Sequence, residues 1–76
     1  MRTITVPGSG QFCLDVASGM PGRTEVEVYD AERDYVATVV VHESGRAEVL
    51  YRAADYAGRG GQWWQRVTDA VAKAVA

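Results

Sequence analysis

The chain is poor in the residues that carry chemistry. Its 76 residues include one cysteine, Cys13, and one histidine, His42. A single thiol excludes an intramolecular disulfide and a cysteine-rich zinc site, and it fits a reducing compartment. A single imidazole at a strand end, with no thiol or carboxylate at a telling spacing, leaves nucleophilic and acid–base catalysis without a constellation. Long apolar runs are also missing, and none approaches the roughly eighteen residues a membrane span needs. The start, Met1-Arg2-Thr3-Ile4-Thr5-Val6-Pro7-Gly8, has no apolar leader, so the expectation is a cytoplasmic chain beginning at its own Met1, with no membrane association. Basic charge is short too. Eight Lys and Arg stand against ten Asp and Glu, for a net charge of −2 and a pI near 5.2. That balance exerts no pull on phosphate backbones and disfavours direct nucleic-acid binding. Repeats, linkers and low-complexity segments are absent, and no cofactor or metal is expected.

What is present is the composition of a folded domain, 47% hydrophobic and 24% charged. A domain of this size buries roughly 60–65% of its unfolded surface, so its core is small and gains from a partner. The stretch Thr24–Ala53 reads as three strands joined by two tight turns. Its middle strand, Tyr35–His42, is apolar on both faces and therefore needs covering twice.

Taken in order, Thr3–Val6 alternates polar and apolar residues and reads as a strand with Ile4 and Val6 inward. Pro7-Gly8-Ser9-Gly10 is a turn, and Gln11–Val16 resumes the alternation with Phe12, Leu14 and Val16 on one side. Gly19-Met20-Pro21-Gly22 reads as a loop, Thr24–Tyr29 as a strand and Asp30–Asp34 as a charged turn. Ser44-Gly45 suits a two-residue hairpin turn. It would set Glu43 opposite Arg46, Val41 opposite Glu48, Val40 opposite Val49 and Val39 opposite Leu50. On that register one face, the core face, carries Val26, Val28, Val36, Thr38, Val40, Val49 and Tyr51. The other carries Glu25, Glu27, Tyr29, Tyr35, Ala37, Val39, Val41, Glu48, Leu50 and Arg52, half apolar where water would favour polar residues. Ala54–Gly61 is too glycine-rich for regular structure. From Gln62 the spacing turns helical, with Trp63 or Trp64, Val67, Ala70, Val71, Ala74 and Val75 on one stripe. Asp69 and Lys73 fall four apart in the favourable order, and Lys73 complements the C-terminal dipole. The predicted fold class is α+β: an antiparallel β-meander of four to five strands with one C-terminal amphipathic helix packed on one sheet face, in a single domain over residues 1–76.

The candidate partner-binding residues are Glu25, Glu27, Tyr29, Tyr35, Val39, Val41, Glu48 and Leu50 on the outer face, with Trp63 and Trp64. Adjacent helical residues point about 100° apart, so one tryptophan is expected in the core and the other at its edge, partly exposed. Exposed tryptophan is a favoured interface residue. With Arg59 and Arg66 beside it, it could instead stack on a nucleic-acid base. Gly58-Arg59-Gly60-Gly61 before a helix could form an anion nest, but it lacks the lysine and hydroxyl of a phosphate loop. A hinge explains it equally well. Cys13, on the outward face of its strand, has no nearby cation to make it reactive. The acidic set Glu25, Glu27, Asp30, Glu32, Asp34, Glu43 and Glu48 could meet a basic surface or mimic phosphates. Arg33, Arg46 and Arg52 are interspersed, and edge charge also guards against aggregation.

This layout, a minimal acidic meander with a terminal helix that starts on tryptophan, resembles the small anti-CRISPR proteins of phages and mobile elements. The Arg-, Ala- and Val-rich usage fits a high-GC bacterial or phage genome. The resemblance covers size and layout and rests on no motif. It implies a non-enzymatic inhibitor in a bacterial host cell, binding a CRISPR effector subunit and blocking target-DNA binding or nuclease recruitment. Two alternatives stand beside it. One is a homodimeric or antitoxin-type protein pairing through the outer sheet face, and the other is a nucleic-acid module using the Arg/Trp helix start.

Overall fold

The computed structural model describes residues 2–76. Five strands, β1 (Arg2–Val6), β2 (Gly10–Met20), β3 (Arg23–Asp30), β4 (Tyr35–His42) and β5 (Ala47–Arg52), precede one helix, α1 (Gly61–Val75). The strands lie in sequence order as one antiparallel sheet, and α1 packs against β1, β4 and β5. The α+β meander with a C-terminal helix is therefore the fold.

Turn chemistry explains the hairpins. β2 runs further than the alternation suggested, through Gly19 and Met20, and pairs Met20 with Arg23 across Pro21-Gly22. Proline presets the first central position of a tight turn and Gly22, at φ 81°, supplies the left-handed second one. The predicted four-residue loop thus shrinks to two. Two further hairpins share one three-residue design. The Gly45 amide bonds the His42 carbonyl and the His42 amide bonds the Arg46 carbonyl, both at 2.8–2.9 Å. At the β3–β4 turn the Arg33 amide bonds the Asp30 carbonyl and the Asp30 amide bonds the Asp34 carbonyl, each at 2.9 Å. Each loop ends on a positive φ, 92° at Gly45 and 70° at Arg33. A side chain there costs about 1–2 kcal/mol, partly offset by the roughly 0.5–1 kcal/mol that glycine loses to chain entropy. Arg33→Gly is accordingly expected to stabilise the domain by about 0.5 kcal/mol and Gly45→Arg to destabilise it by about the same or more, read as opposite shifts of the urea midpoint.

Bulges set which face each side chain takes. In β4, Tyr29 pairs with Tyr35 but Val28 pairs with Ala37, so Val36 is an extra residue. From there outward the parity is reversed: Val26 pairs with Val39 and Thr24 with Val41. In β5, Val39 pairs with Val49 and Thr38 with Tyr51, leaving Leu50 extra. One inserted residue flips every side chain beyond it. The β4–β5 loop has three residues rather than the predicted two and sets His42, not Glu43, opposite Arg46. The predicted pairings of Val39 with Leu50, Val40 with Val49 and Val41 with Glu48 are therefore each off by one, until the Leu50 bulge restores the expected register at Thr38. Val40 pairs with Glu48 and Val41 with Ala47.

The core corrects the assignment of faces. Ala37, Val39 and Val41, expected on the outer side, lie under α1 in one cluster with Val26, Val28, Phe12, Leu14, Val67 and Val71. Val39 is 0% exposed. Val36 and Val49 join the core as expected. Thr38, Val40 and Tyr51 instead face the other way, on the side of Glu25, Glu27 and Glu48. Trp63 and Trp64 are both buried, at 8% and 5% exposure, so neither is the exposed edge residue the helical geometry predicted. The small core explains this. Trp63 meets Phe12 and Trp64 edge-on, at 6.0 and 4.9 Å between centroids, and stacks on Tyr56 at 5.5 Å. Arg59 lies over the rings of Tyr56 and Trp63, and Arg52 lies 4.8 Å over Trp64. The segment between β5 and α1 is a chain of turns that carries Tyr56 and Arg59 into this cluster.

The helix starts at an N-cap Gly60 that supplies no side-chain bond, and Lys73 lies in its last turn. Arg2 donates from Nη1 to the Ala74 carbonyl, satisfying one C-terminal acceptor. Asp69 accepts from Gln65 at 2.8 Å rather than pairing with Lys73.

Candidate functional site: the open face of the sheet

Because α1 covers one side only, β3, β4 and β5 present a second side with no helix across it. Register puts Glu25, Glu27 and Tyr29 of β3 there, opposite Val40, Thr38 and Tyr35 of β4. Glu48 and Tyr51 of β5 continue the rows. On the other flank Asp15 of β2 lies directly opposite Glu27, and Cys13 opposite Tyr29.

The floor of this face is Val40. It is 1% exposed yet stands outside the helix-side cluster, so it is roofed by its own neighbours, with Glu25 and Glu48 across the strands. The carboxylates over it are partly tied. His42 Nε2 lies 2.7 Å from Glu48 Oε1, and Arg46 reaches the same oxygen at 3.9 Å. The imidazole bond, then Arg46, hold the Glu48 carboxyl below the usual carboxylate range. Arg23 approaches Glu25 at 3.6 Å. Tyr29 donates to Glu27 at 2.9 Å, and that bond, with the adjoining negative charge, pushes the phenol pKa up. The rings of Tyr29 and Tyr35 meet edge-on at 6.0 Å, and Tyr35 shares a hydrogen bond with Thr38. Asp15 and Glu27 face each other without an ion-pair partner among the described residues.

The expected surface is thus partly brought together. Glu25, Glu27, Tyr29, Tyr35 and Glu48 converge on one face. Leu50, 52% exposed, sits at the β5 bulge on the sheet edge. Val39, Val41, Trp63 and Trp64 are core residues. Val40, His42 and Tyr51 belong to the face and escaped the sequence reading. Asp15, which alternation puts on the outward side of its strand with Cys13, belongs to it without being among the predicted partner-binding residues. The polar parity of β3 points to that side, but nothing in β4 says which of its apolar halves follows.

Other chemistry is accounted for locally. The Asp30, Glu32 and Asp34 carboxylates lie within 4.8 Å of one another. Asp30 is already saturated: Oδ1 accepts the amides of Glu32 and Asp34 at 3.0 and 2.9 Å, and Oδ2 accepts the Tyr56 hydroxyl at 2.8 Å. This trio is a turn scaffold. Cys13 and His42 sit two strands apart and toward opposite ends of them, roughly 20 Å by strand geometry, so they form no thiol–imidazole pair. Cys13 Sγ is half-buried, with Thr3 Oγ1 3.9 Å away. Among the described residues, no helix is long and apolar enough to cross a membrane. No family model, curated protein or solved structure matches the chain.

Proposed function

We propose that the chain is a non-enzymatic protein-binding inhibitor that sets its open sheet face against a basic surface in the cytoplasm of a bacterial host. The observation that carries this reading is the opposition of Asp15 and Glu27 across the β2–β3 ladder. Like charges so placed destabilise a sheet by about 0.2–1 kcal/mol, and a cationic partner would turn that local cost into attraction. Tyr29, Tyr35 and Tyr51 beside them are amphipathic rings of the kind that anchor interfaces. Self-pairing of the face, the homodimer or antitoxin-type alternative, would set carboxylates against carboxylates, and the valines meant to drive it, Val39 and Val41, lie under α1. The nucleic-acid alternative loses its stacking surface, because both tryptophans are buried and Arg59 covers one of them.

The likeness to anti-CRISPR proteins makes a CRISPR effector subunit the first partner to test. Such effectors hold nucleic acid in a positively charged channel, which is the surface an acidic face would occupy. Glu27→Lys separates folding from binding. It converts the repulsive pair into Asp15 opposite a lysine but gives up the hydrogen bond from Tyr29, so stability should change by no more than about 1 kcal/mol in either direction. Inhibition of target-DNA binding by purified effector complexes should weaken about tenfold or more. Equal inhibition by wild type and variant, or no inhibition of any effector type tested, would sink the reading.

A further inference from the structure

A second surface lies on the opposite edge of the molecule, away from the open face. β1 is an edge strand, hydrogen-bonded to β2 alone. α1 runs antiparallel along it: Arg66 Nε lies 3.8 Å from where a Cβ on Gly8 would stand, past the end of β1, and the Ala74 carbonyl meets Arg2 at its start. Between strand and helix is an open groove of about 690 Å³. Ile4, Thr5, Ala70 and Ala74 line it. Ile4 points toward the core and Thr5 toward the open side of the sheet, so the groove wraps around the free edge of the strand rather than lying under it.

The rim carries charge of one dominant sign. Arg2, Arg66 and Lys73 border the groove against a single carboxylate, Asp69, which is already engaged by Gln65. All three cations are exposed, and none forms an ion pair with the described residues. In a chain of net charge −2 this is a local inversion. An unpaired edge supplies a row of backbone donors and acceptors. The helix flank adds a small apolar floor and a cationic wall, with Arg66 and Lys73 two turns apart on one side.

We propose that this groove binds an extended acidic segment of a protein partner by strand addition to β1. Main-chain hydrogen bonds to the edge would supply affinity, and alternate side chains would supply selectivity. Apolar residues of the segment go down onto Ile4 and Ala70, and the intervening acids meet Arg66, Lys73 and Arg2. A nucleic-acid strand fits less well. It has no edge to pair with a sheet, and the groove offers no aromatic face for its bases. The surface is separate from the open face and does not depend on the inhibitor reading.

The test uses a short fluorescein-labelled peptide of alternating glutamate and valine, with alternating lysine and valine as control. Anisotropy should show binding of the first only. Arg66→Glu and Lys73→Gln should each weaken it, the first by about tenfold, with circular dichroism confirming that the exposed substitutions leave the fold intact. N-methylating alternate peptide amides removes donors on one edge, so one of the two phases should abolish binding. Amide shifts in a ¹⁵N spectrum should fall on Thr3, Thr5 and Ala70. Glu27→Lys should bind the peptide as wild type does, which keeps this result distinct from the fate of the open face. The proposal is overturned if the acidic peptide fails to bind, if both N-methylated phases bind as well as the parent, if the shifts map to Tyr29 and Glu27, or if an oligothymidylate binds more tightly through Arg66 and Lys73.

Discussion

Replacing Val39 by aspartate is expected to unfold the protein at neutral pH, while the same change at Leu50 leaves it folded. Val39 is wholly buried beneath α1, in one cluster with Val26, Val49 and Val67. A carboxylate there loses its water and gains no cation, since Arg52 and Arg59 lie over the aromatic rings at the helix start and Arg2 is held at the Ala74 carbonyl near its end. The effective penalty for such an ion is several kcal/mol, and the valine's own burial, about 1.5–3 kcal/mol, is lost with it. Domains of this kind hold only about 5–15 kcal/mol in total. Leu50 is the bulged residue of the edge strand and half exposed, where a polar replacement changes stability by about 0.5 kcal/mol or less. Far-ultraviolet circular dichroism and a urea titration of the two variants read the difference directly. A folded Val39→Asp, or an unfolded Leu50→Asp, would mean that the faces of β4 and β5 are assigned the wrong way round.

The second large effect centres on Asp30. Its carboxylate joins the β3–β4 turn, through the amides of Glu32 and Asp34, to Tyr56 in the segment that leads into α1. Hydrogen bonds to a charged group contribute about 1.5–3 kcal/mol each, though not additively. Asp30→Ala should therefore cost about 2–3 kcal/mol and loosen the stacking of Tyr56 on Trp63, visible as a change in tryptophan fluorescence. Asp30→Asn keeps an acceptor and should cost less. The pH dependence has two arms. The amide of Asp34 and the Tyr56 hydroxyl hold the Asp30 carboxyl below its ordinary value of 3.8. Its stabilisation is therefore complete above about pH 4 and is lost as pH falls through the depressed folded value. Tyr56 is pushed the other way, to about 12, first by burial and then by Asp30. The folded state prefers the neutral phenol, so its contribution is complete below the ordinary value of 10.0 and is lost as pH rises toward 12. Tyr56→Phe should flatten the alkaline arm while leaving the acid arm shallower but present. An unchanged alkaline slope in that variant would remove the phenol from the account.

These residues also show where sequence reasoning holds and where it stops. Alternation and turn chemistry place every element, because Val26 and Val28 against Glu25 and Glu27 carry a period of two, and Trp63 through Val75 carries one near 3.6. β4 defeats the method. Val36, Ala37, Val39, Val40 and Val41 are apolar on both faces, so no pattern records which half meets the helix. The bulge at Val36 and the three-residue length of the β4–β5 turn make the decision, and neither has a mark in composition. Ala37 holds the one usable hint, since a small side chain suits a core-side position whose strand partner, Arg52, lies over Trp64. The open face is half legible for the same reason: the charged half of β3 announces it, and Val40 and Tyr51 become part of it only through register.

The order of the strands has a kinetic consequence. Every strand pairs with its neighbour in the chain, so the sheet assembles through short loop closures, each with little entropy to overcome. The contact spanning most of the sequence is the one between β1 and the end of α1, where Arg2 meets Ala74. A meander able to zip from its middle outward leaves the helix to dock last. Substitutions in β3 and β4 should then act on the rate of folding, and those along the β1–α1 seam on the rate of unfolding.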